Sequence, residues 1–272
     1  MKNKVLILGK GFIGERILEQ LGGEISDKMI LSFNDAKSEI EKYKPDVVIN
    51  CIGITGARNV DDCELDKDQT LMANSFVPII LAEVALRNNI KLVHISSGCI
   101  YHFDYNKQKP ITEEEIPDFF DLFYSRSKIY SERALDVLAK KYNILIVRIR
   151  IPLDNRPHKK NILTKLINYG KVIDMPNSIT YIPDFINALK HLIKIDAKGI
   201  YNVANKHGLR YPDLMDVYGK YVSGFKYGII DHRKLGLVRT NLVLSVKKLE
   251  KTGFSVRPIK DVLEECVREY VK

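Results

Sequence analysis

A strand, a glycine turn and a helix at the start of the chain constrain its fold more than any other stretch. Lys4-Val5-Leu6-Ile7-Leu8 is a short apolar run, which reads as a strand buried on both faces. Gly9-Lys10-Gly11-Phe12-Ile13-Gly14 follows at once. Ile13, Ile17, Leu18 and Leu21 then share one face of a helix that stops at Gly22-Gly23. In this order, G-x-G-x-x-G is the dinucleotide fingerprint. Its glycines let the backbone turn tightly and approach a pyrophosphate at the helix N-terminus. A plain turn is the alternative, and the flanking strand and helix weigh against it.

The βα pattern continues. Met29–Phe33 reads as a second strand, with Asp35 about twenty residues past Gly14, where the fingerprint asks for an acid on the ribose 2′-hydroxyl. Asp35 reads equally as the N-cap of the next helix. No arginine stands here for a 2′-phosphate, but Lys37 is near, so NADH and NADPH both stay open. Further strands read at 45–53, 92–97 and 143–149. A long helix with Met72, Val77, Ile80, Leu81, Val84 and Ala85 apolar is interrupted by Asn74, which is either solvated or a buried amide holding backbone near a site. Helices read at 124–141, 161–169, 183–194, 212–222 and 258–271, and a strand at 199–204 rejoins the sheet. The alternation predicts an α/β fold: a doubly wound parallel sheet of Rossmann type with a small C-terminal lobe. The dinucleotide-binding domain is expected at 1–150, with 183–204 rejoining it, and the substrate lobe at 151–182 and 205–272.

Composition narrows the function. The net charge of +9 comes from 43 basic and 34 acidic residues spread along the chain. That suits a small anionic ligand better than nucleic acid, which calls for a concentrated basic footprint. No apolar run reads as long enough to span a bilayer. The N-terminus leads straight into a strand without a signal-peptide pattern. Cys51, Cys63, Cys99 and Cys266 lack metal or disulfide spacing, so no metal site is expected and a reducing cytoplasm fits. Taken singly, Cys51 and Cys63 read as fillers, and His94 and His102 as structural.

Chemistry concentrates between Leu92 and Lys128. The strand Leu92-Val93-His94-Ile95-Ser96-Ser97 runs into Gly98-Cys99-Ile100-Tyr101, and Tyr124-Ser125-Arg126-Ser127-Lys128 follows. Tyr124 and Lys128, four apart, share a helix face. A lysine ammonium favours the phenolate and lowers the tyrosine's proton affinity. A serine on a neighbouring strand end can hold a carbonyl oxygen beside that phenol. The three groups suit hydride delivery to a ketone. Arg148 and Arg150 suit either a phosphate or a carboxylate partner.

These residues resemble the extended short-chain dehydrogenase/reductase family. Within it they are similar to the reductases that finish nucleotide-linked 6-deoxy-L-sugars, the dTDP-4-dehydrorhamnose reductase group and its relatives that join 3,5-epimerisation to 4-reduction. The likeness rests on Gly53-Ile54-Thr55-Gly56-Ala57-Arg58-Asn59-Val60-Asp61, Ser97-Gly98-Cys99-Ile100-Tyr101, the Tyr124–Lys128 stretch and Arg148-Ile149-Arg150-Ile151-Pro152. It continues through Asn161–Lys165, Asp174–Ser178 and Gly199–Asn202. Two departures stand out: the glycine turn is one residue tighter than the family's usual G-x-x-G-x-x-G, and the stretch from Gly23 to Pro45 is short enough to lack a strand.

The resemblance implies Ser97, Tyr124 and Lys128 as a reductase triad supported by Asn74, and Cys99 with Lys165 as an epimerase pair. It implies that Gly9, Gly11, Phe12, Ile13, Gly14, Asp35, Cys51, Ile52, Gly53, Tyr124 and Lys128 meet NADPH or NADH. For a nucleotide-diphosphate 4-keto-6-deoxyhexose it implies Thr55, Arg58, Cys99, Arg150, Asn161, Lys165, Arg239 and Asn241. Neither nucleic acid nor membrane is an expected partner, and a homodimer is left open. Rival readings are a 4-keto-reductase alone, the same chemistry on a 2-acetamido sugar, and a non-catalytic cofactor-binding subunit.

Overall fold

The computed structural model describes residues 3–102, 109–235 and 241–272. It divides into two compact units. The first holds residues up to Tyr101, Ile116–Arg148 and Lys190–Tyr201; the second holds His102–Glu115, Ile149–Leu189 and Asn202–Lys272.

The first unit is built on one sheet. Its strands are β1 (Val5–Leu8), β2 (Glu24–Ser26), β3 (Val47–Asn50), β4 (Lys91–Ser97), β5 (Ile144–Ile149) and β9 (Gly199–Asn202), in the order β2-β1-β3-β4-β5-β9. The ladders from β2 to β4 are parallel: Leu6 pairs with Glu24 on one side and Val48 on the other, and Ile49 with Val93. β1, β3 and β4 are buried along their whole length, because helices cover both faces of a parallel sheet. Those helices are α1 (Phe12–Leu21), α2 (Phe33–Tyr43), α3 (Lys67–Leu71), α4 (Val77–Arg87) and α5 (Phe123–Ala139). Leu6, Leu8, Val48, Leu92 and Ile146 share a core with Leu81, Val84 and Ala85 of α4 and Leu135 of α5. The chain leaves β1 for β2 on one side and returns to β3 on the other. The C-terminal ends of β1 and β3 therefore flank the switch point where open α/β sheets take ligands.

Two expectations are corrected. The second strand is Glu24–Ser26, not Met29–Phe33; Phe33 instead opens α2. Met29 and Leu31 are 72% and 54% exposed while Ile30 between them is buried in the core, so that apolar run is a connector anchored by Ile30, and the real strand is a three-residue edge whose sole strong apolar residue is Ile25. The second correction concerns α3, a π-helical turn (Met72–Phe76) and α4, which run on as 21 helical residues. By length and composition alone this run would suffice to cross a bilayer, against the expectation of none. Half of it is buried inside the protein, with Val77, Leu81 and Val84 in the core, as in a core helix.

The second unit carries two small parallel pairs, β6 (Pro152–Leu153) with β8 (Thr180–Tyr181), and β7 (Lys171–Ile173) with β10 (Gly228–Ile230). Its helices are α6 (Ile162–Tyr169), the first part of α7 (Ile182–Lys194), α8 (Tyr211–Tyr221), α9 (Lys247–Glu250) and α10 (Leu263–Tyr270). Leu163, Leu166, Val172, Leu214, Met215, Leu263 and Val267 form its core. Ile151 sits at φ 37°, a left-handed conformation that a β-branched residue adopts only at a cost of about 1–3 kcal/mol. It is held there by Thr180, whose N–H donates to the Arg150 carbonyl at 2.8 Å and whose hydroxyl accepts from the Arg150 N–H at 2.9 Å.

Candidate active site

The glycine turn has the shape a dinucleotide needs. Gly9 has φ 101°, and its N–H donates to Ser26 O at 3.0 Å, tying the turn to the end of β2. A Cβ on Gly9 would lie 2.8 Å from Ile52 N and 2.9 Å from Cys51 C, so the loops after β1 and β3 touch at the switch point. A Cβ on Gly14 would lie 2.1 Å from Gly9 O, whereas one on Gly11 would have nothing within 4 Å. Gly11 is the N-cap of α1 and has no side-chain cap. Open space beside an uncapped helix N-terminus is what a pyrophosphate requires. Phe12 and Ile13 open that helix, so the residues present fit a nicotinamide dinucleotide.

Asp35 takes a different place. Ser32 is the N-cap of α2, accepting from Asp35 N, and the Asp35 carboxylate accepts from Leu31 N at 3.1 Å and the Ser32 hydroxyl at 2.8 Å. This is a capping box, and the Ser32 hydrogen bond holds the carboxyl below its ordinary range. The acid directly after β2 is the exposed Asp27, which the misplaced strand hid.

The loop after β3 is fastened by two asparagines. Asn50 accepts from Ile52 N at 3.0 Å, so its amide N–H₂ faces His94 Nδ1 at 3.1 Å. His94 is buried, and burial first, then the charge of Lys128, pulls it well below its ordinary value; it is a neutral structural histidine. Asn74 accepts from Ile54 N at 2.9 Å and donates to Ile54 O at 3.0 Å and Ser127 Oγ at 3.1 Å. It is fully buried in the π turn, so of its two readings the buried amide holding backbone is the one observed. π turns often mark functional positions because they re-aim one side chain. Between the asparagines, a Cβ on Gly53 would lie 3.1 Å from both Asn74 Oδ1 and Lys128 Nζ. Gly53 thus brings the loop backbone against the lysine.

Ser97 ends β4, and its Oγ accepts from Cys99 N at 3.1 Å, which leaves the hydroxyl proton free to point elsewhere. Cys99 O accepts from Ser125 Oγ at 2.6 Å, pinning this turn to α5. Tyr124 and Lys128 are buried on that helix, and Ser127 Oγ donates to Tyr124 O at 2.7 Å. Burial pulls Lys128 down to about 8, against the opposing pull of Glu132. The first unit therefore gathers Ser97, Cys99, Tyr124, Lys128, Asn74, the glycine turn and Cys51–Gly53. Thr55 is half-buried in the same loop. Arg58 is exposed and paired with Asp62 at 2.7 Å, which holds the aspartate down to about 2.

In the second unit, Arg150 Nε donates to Asn177 Oδ1 at 2.7 Å, and Asn177 Nδ2 donates to Asn241 Oδ1 at 3.1 Å. All three are buried. Asn177, which the sequence did not single out as a site residue, joins two that it did. Asn161 caps α6: its Oδ1 accepts from Leu163 N, and its amide donates to Asp154 O and Arg156 O. Both amide protons are committed to backbone, so Asn161 shapes the loop rather than presenting a donor. Lys165 is half-buried on α6. Arg239 lies outside the described residues. Asn50, Ser125, Ser127 and Asn177 each have a partner far off in sequence, His94, Cys99, Asn74 and Arg150 respectively, which no local pattern marks.

A parallel sheet with a glycine turn at its switch point, and a serine strand beside a Tyr-x-x-x-Lys helix, defines the extended short-chain dehydrogenase/reductase class. Within that class the chain belongs to the RmlD substrate-binding domain family, whose model matches residues 4–177. It is 30% identical over 245 residues to the bifunctional dTDP-4-dehydrorhamnose 3,5-epimerase/dTDP-4-dehydrorhamnose reductase of Arabidopsis thaliana, covering 85% of this chain and 79% of that one. It is also 30% identical over 286 residues to a trifunctional UDP-glucose 4,6-dehydratase/UDP-4-keto-6-deoxy-D-glucose 3,5-epimerase/UDP-4-keto-L-rhamnose-reductase of the same plant. That match covers 96% of this chain but 41% of the relative, so the chain spans about two fifths of such a protein. In structure it resembles a UDP-rhamnose synthase from Acanthamoeba polyphaga mimivirus (TM-score 0.90, 24% identity, 99% and 100% of the chains covered). It also resembles a dTDP-4-dehydrorhamnose reductase from Bacillus anthracis solved with NADP (TM-score 0.84, 20% identity, 99% of each chain).

Proposed function

We propose that the protein is a nicotinamide-dependent 4-keto-reductase of nucleotide-linked rhamnose synthesis that also inverts C3 and C5 of its 4-keto-6-deoxyhexose. The observation that carries the reading is the buried Tyr124/Lys128 pair on α5, with Gly53 against the lysine and Ser97 at the end of β4. The dinucleotide, when bound, supplies hydride to C4. Tyr124 protonates O4, Ser97 donates a hydrogen bond to the same oxygen, and Lys128 provides the positive charge that makes the phenol a competent acid near neutral pH. Asn74 holds the loop that carries Gly53.

The same oxyanion contacts serve epimerisation. Removing a proton from C3 or C5 of a 4-keto sugar places charge on O4, where Tyr124 and Ser97 receive it. Cys99, on the Ser97 turn, is the proposed base, and Lys165 the acid that returns the proton from the opposite face. A thiol acts as a base only as thiolate, so a nearby positive charge is part of this reading. Arg150, Asn177 and Asn241 are the proposed contacts for the nucleotide diphosphate, and the proposed setting is the cytoplasm. The test is incubation with UDP- and dTDP-4-keto-6-deoxyglucose and each of NADH and NADPH, with product stereochemistry read by NMR. An L-rhamnose product establishes both activities. Oxidation of cofactor only with pre-epimerised ketone leaves a reductase alone, and no oxidation with either sugar or with its pre-epimerised ketone rejects the reading.

A further inference from the structure

Beneath the Ser97/Lys128 corner lies a buried ion pair that the chemistry above does not use. Glu132 follows Lys128 by one turn on the same face of α5. Its Oε1 accepts from Arg148 Nε at 3.0 Å and Nη2 at 2.5 Å, and its Oε2 accepts from Ser96 Oγ at 2.6 Å. Glu132 and Arg148 are 2% and 1% exposed, and the guanidinium lies 5.3 Å from the centre of the Tyr101 ring. As a stability device this pair is a poor choice, since apolar residues of similar volume often do as well or better. Its position explains it better. The carboxylate grips the residue before Ser97, stands on the helix of Tyr124 and Lys128, and is braced from β5.

The Arg148 guanidinium is the charge this carboxylate meets directly; Lys128, one turn before it on the same face of α5, is the active-site charge that its field reaches. The other titratable groups acting on or near Lys128 are Tyr124 one turn before it on α5, Cys51 after β3, Cys63 in the 3₁₀ turn Val60–Glu64, and His94 on β4. Burial pushes the Cys51 thiol up to about 12 and keeps His94 neutral. That leaves Glu132 as the counter-ion on the lysine's own helix, with Arg148 limiting how much of its charge Lys128 feels.

We propose that Glu132, braced by Arg148, is a positioning residue that supplies the counter-charge to Lys128 and fastens the strand end carrying Ser97 to the helix carrying Tyr124. The proposal deepens the reductase reading of this site and rests on it for its catalytic meaning. The test is a titration of Lys128 in the intact protein, following its ¹³Cε resonance by NMR and assigning it by its loss in Lys128→Met. The titration needs no substrate, so the counter-charge result is independent of whether either 4-keto sugar is turned over.

The wild-type midpoint is expected near 8. Glu132→Gln removes the anion and leaves Arg148 uncompensated, so the midpoint falls by about one pH unit. Glu132→Gln combined with Arg148→Met removes both charges, and its midpoint lies between the two. If Glu132→Gln alone fails to fold, the double variant carries the test with the wild type. Midpoints indistinguishable from wild type overturn the counter-charge. Ser96→Ala keeps the charge and releases the strand: the Lys128 midpoint should hold while kcat for ketone reduction falls several-fold. Unchanged kcat in Ser96→Ala overturns the fastening.

Discussion

Asn74 and Ile54 exchange two hydrogen bonds, the Ile54 N–H to Asn74 Oδ1 and the Asn74 amide to Ile54 O, at 2.9 and 3.0 Å. A side chain here completes for a loop what a neighbouring strand would complete for a sheet. Asn74→Ala leaves part-buried backbone groups without partners, which costs about 1–3 kcal/mol. It also releases the backbone that leads to Gly53. Denaturant unfolding should show that loss, and kcat should drop more than tenfold. A variant that is destabilised yet fully active would confine Asn74 to folding.

Tyr124→Phe keeps the ring packed against its surroundings and removes the hydroxyl that donates the proton. NAD(P)H oxidation should fall at least ~10²-fold, the scale of general acid catalysis, with cofactor affinity little changed. Stopped-flow traces of cofactor absorbance with saturating 4-keto sugar measure this directly.

The glycine turn separates two effects. Gly11 is in extended backbone with open space where a Cβ would stand, so Gly11→Val should fold normally. It should lose at least about tenfold in cofactor affinity by calorimetry, because the side chain occupies the approach to the helix N-terminus. Gly14→Ala places its Cβ 2.1 Å from Gly9 O, so it should lose stability first, by about 1–3 kcal/mol. Unchanged cofactor binding in Gly11→Val would move the phosphate site elsewhere.

Much of this site is legible in the sequence, and the reasons for the rest are physical. β1, the glycine turn and α1 announce themselves because a strand buried on both faces is a continuous apolar run. Tyr124 and Lys128 are visible because helical spacing is local. β2 is hidden because an edge strand with one strong apolar residue loses to the more apolar connector Met29–Phe33, and Asp35 is displaced with it. The π turn at Asn74 leaves no compositional trace. Arg148 and Arg150 look alike in sequence, yet one meets the Glu132 carboxylate and the other the Asn177 amide. Those partners lie 16 and 27 residues away, and only the folded chain brings them together.

The two proposed activities part at Cys99. In D₂O, without cofactor, the wild type should exchange deuterium into C3 and C5 of the 4-keto sugar. Cys99→Ser keeps the size nearly constant and replaces the base with a hydroxyl of far higher pKa. Exchange should therefore mostly vanish, while ketone already epimerised by a separate enzyme is still reduced. Lys165→Met should lose exchange at one or both carbons. Undiminished exchange in Cys99→Ser would return this thiol to packing.

The two asparagines that fasten the loop after β3 also govern how it opens. Ile52 N–H ends on Asn50 and Ile54 N–H on Asn74, both fully buried side chains, one rooted in the sheet and the other in the helical run that packs on it. An ordinary surface loop releases its amide protons to solvent by local fraying, ahead of the core. These two have no such independent route, since freeing either proton means withdrawing a buried amide, that of Asn50 from His94 on β4 or that of Asn74 from Ser127 on α5. In a hydrogen–deuterium exchange time course they should fall in the slow class with the strands, so that this segment breathes with the sheet rather than with the surface.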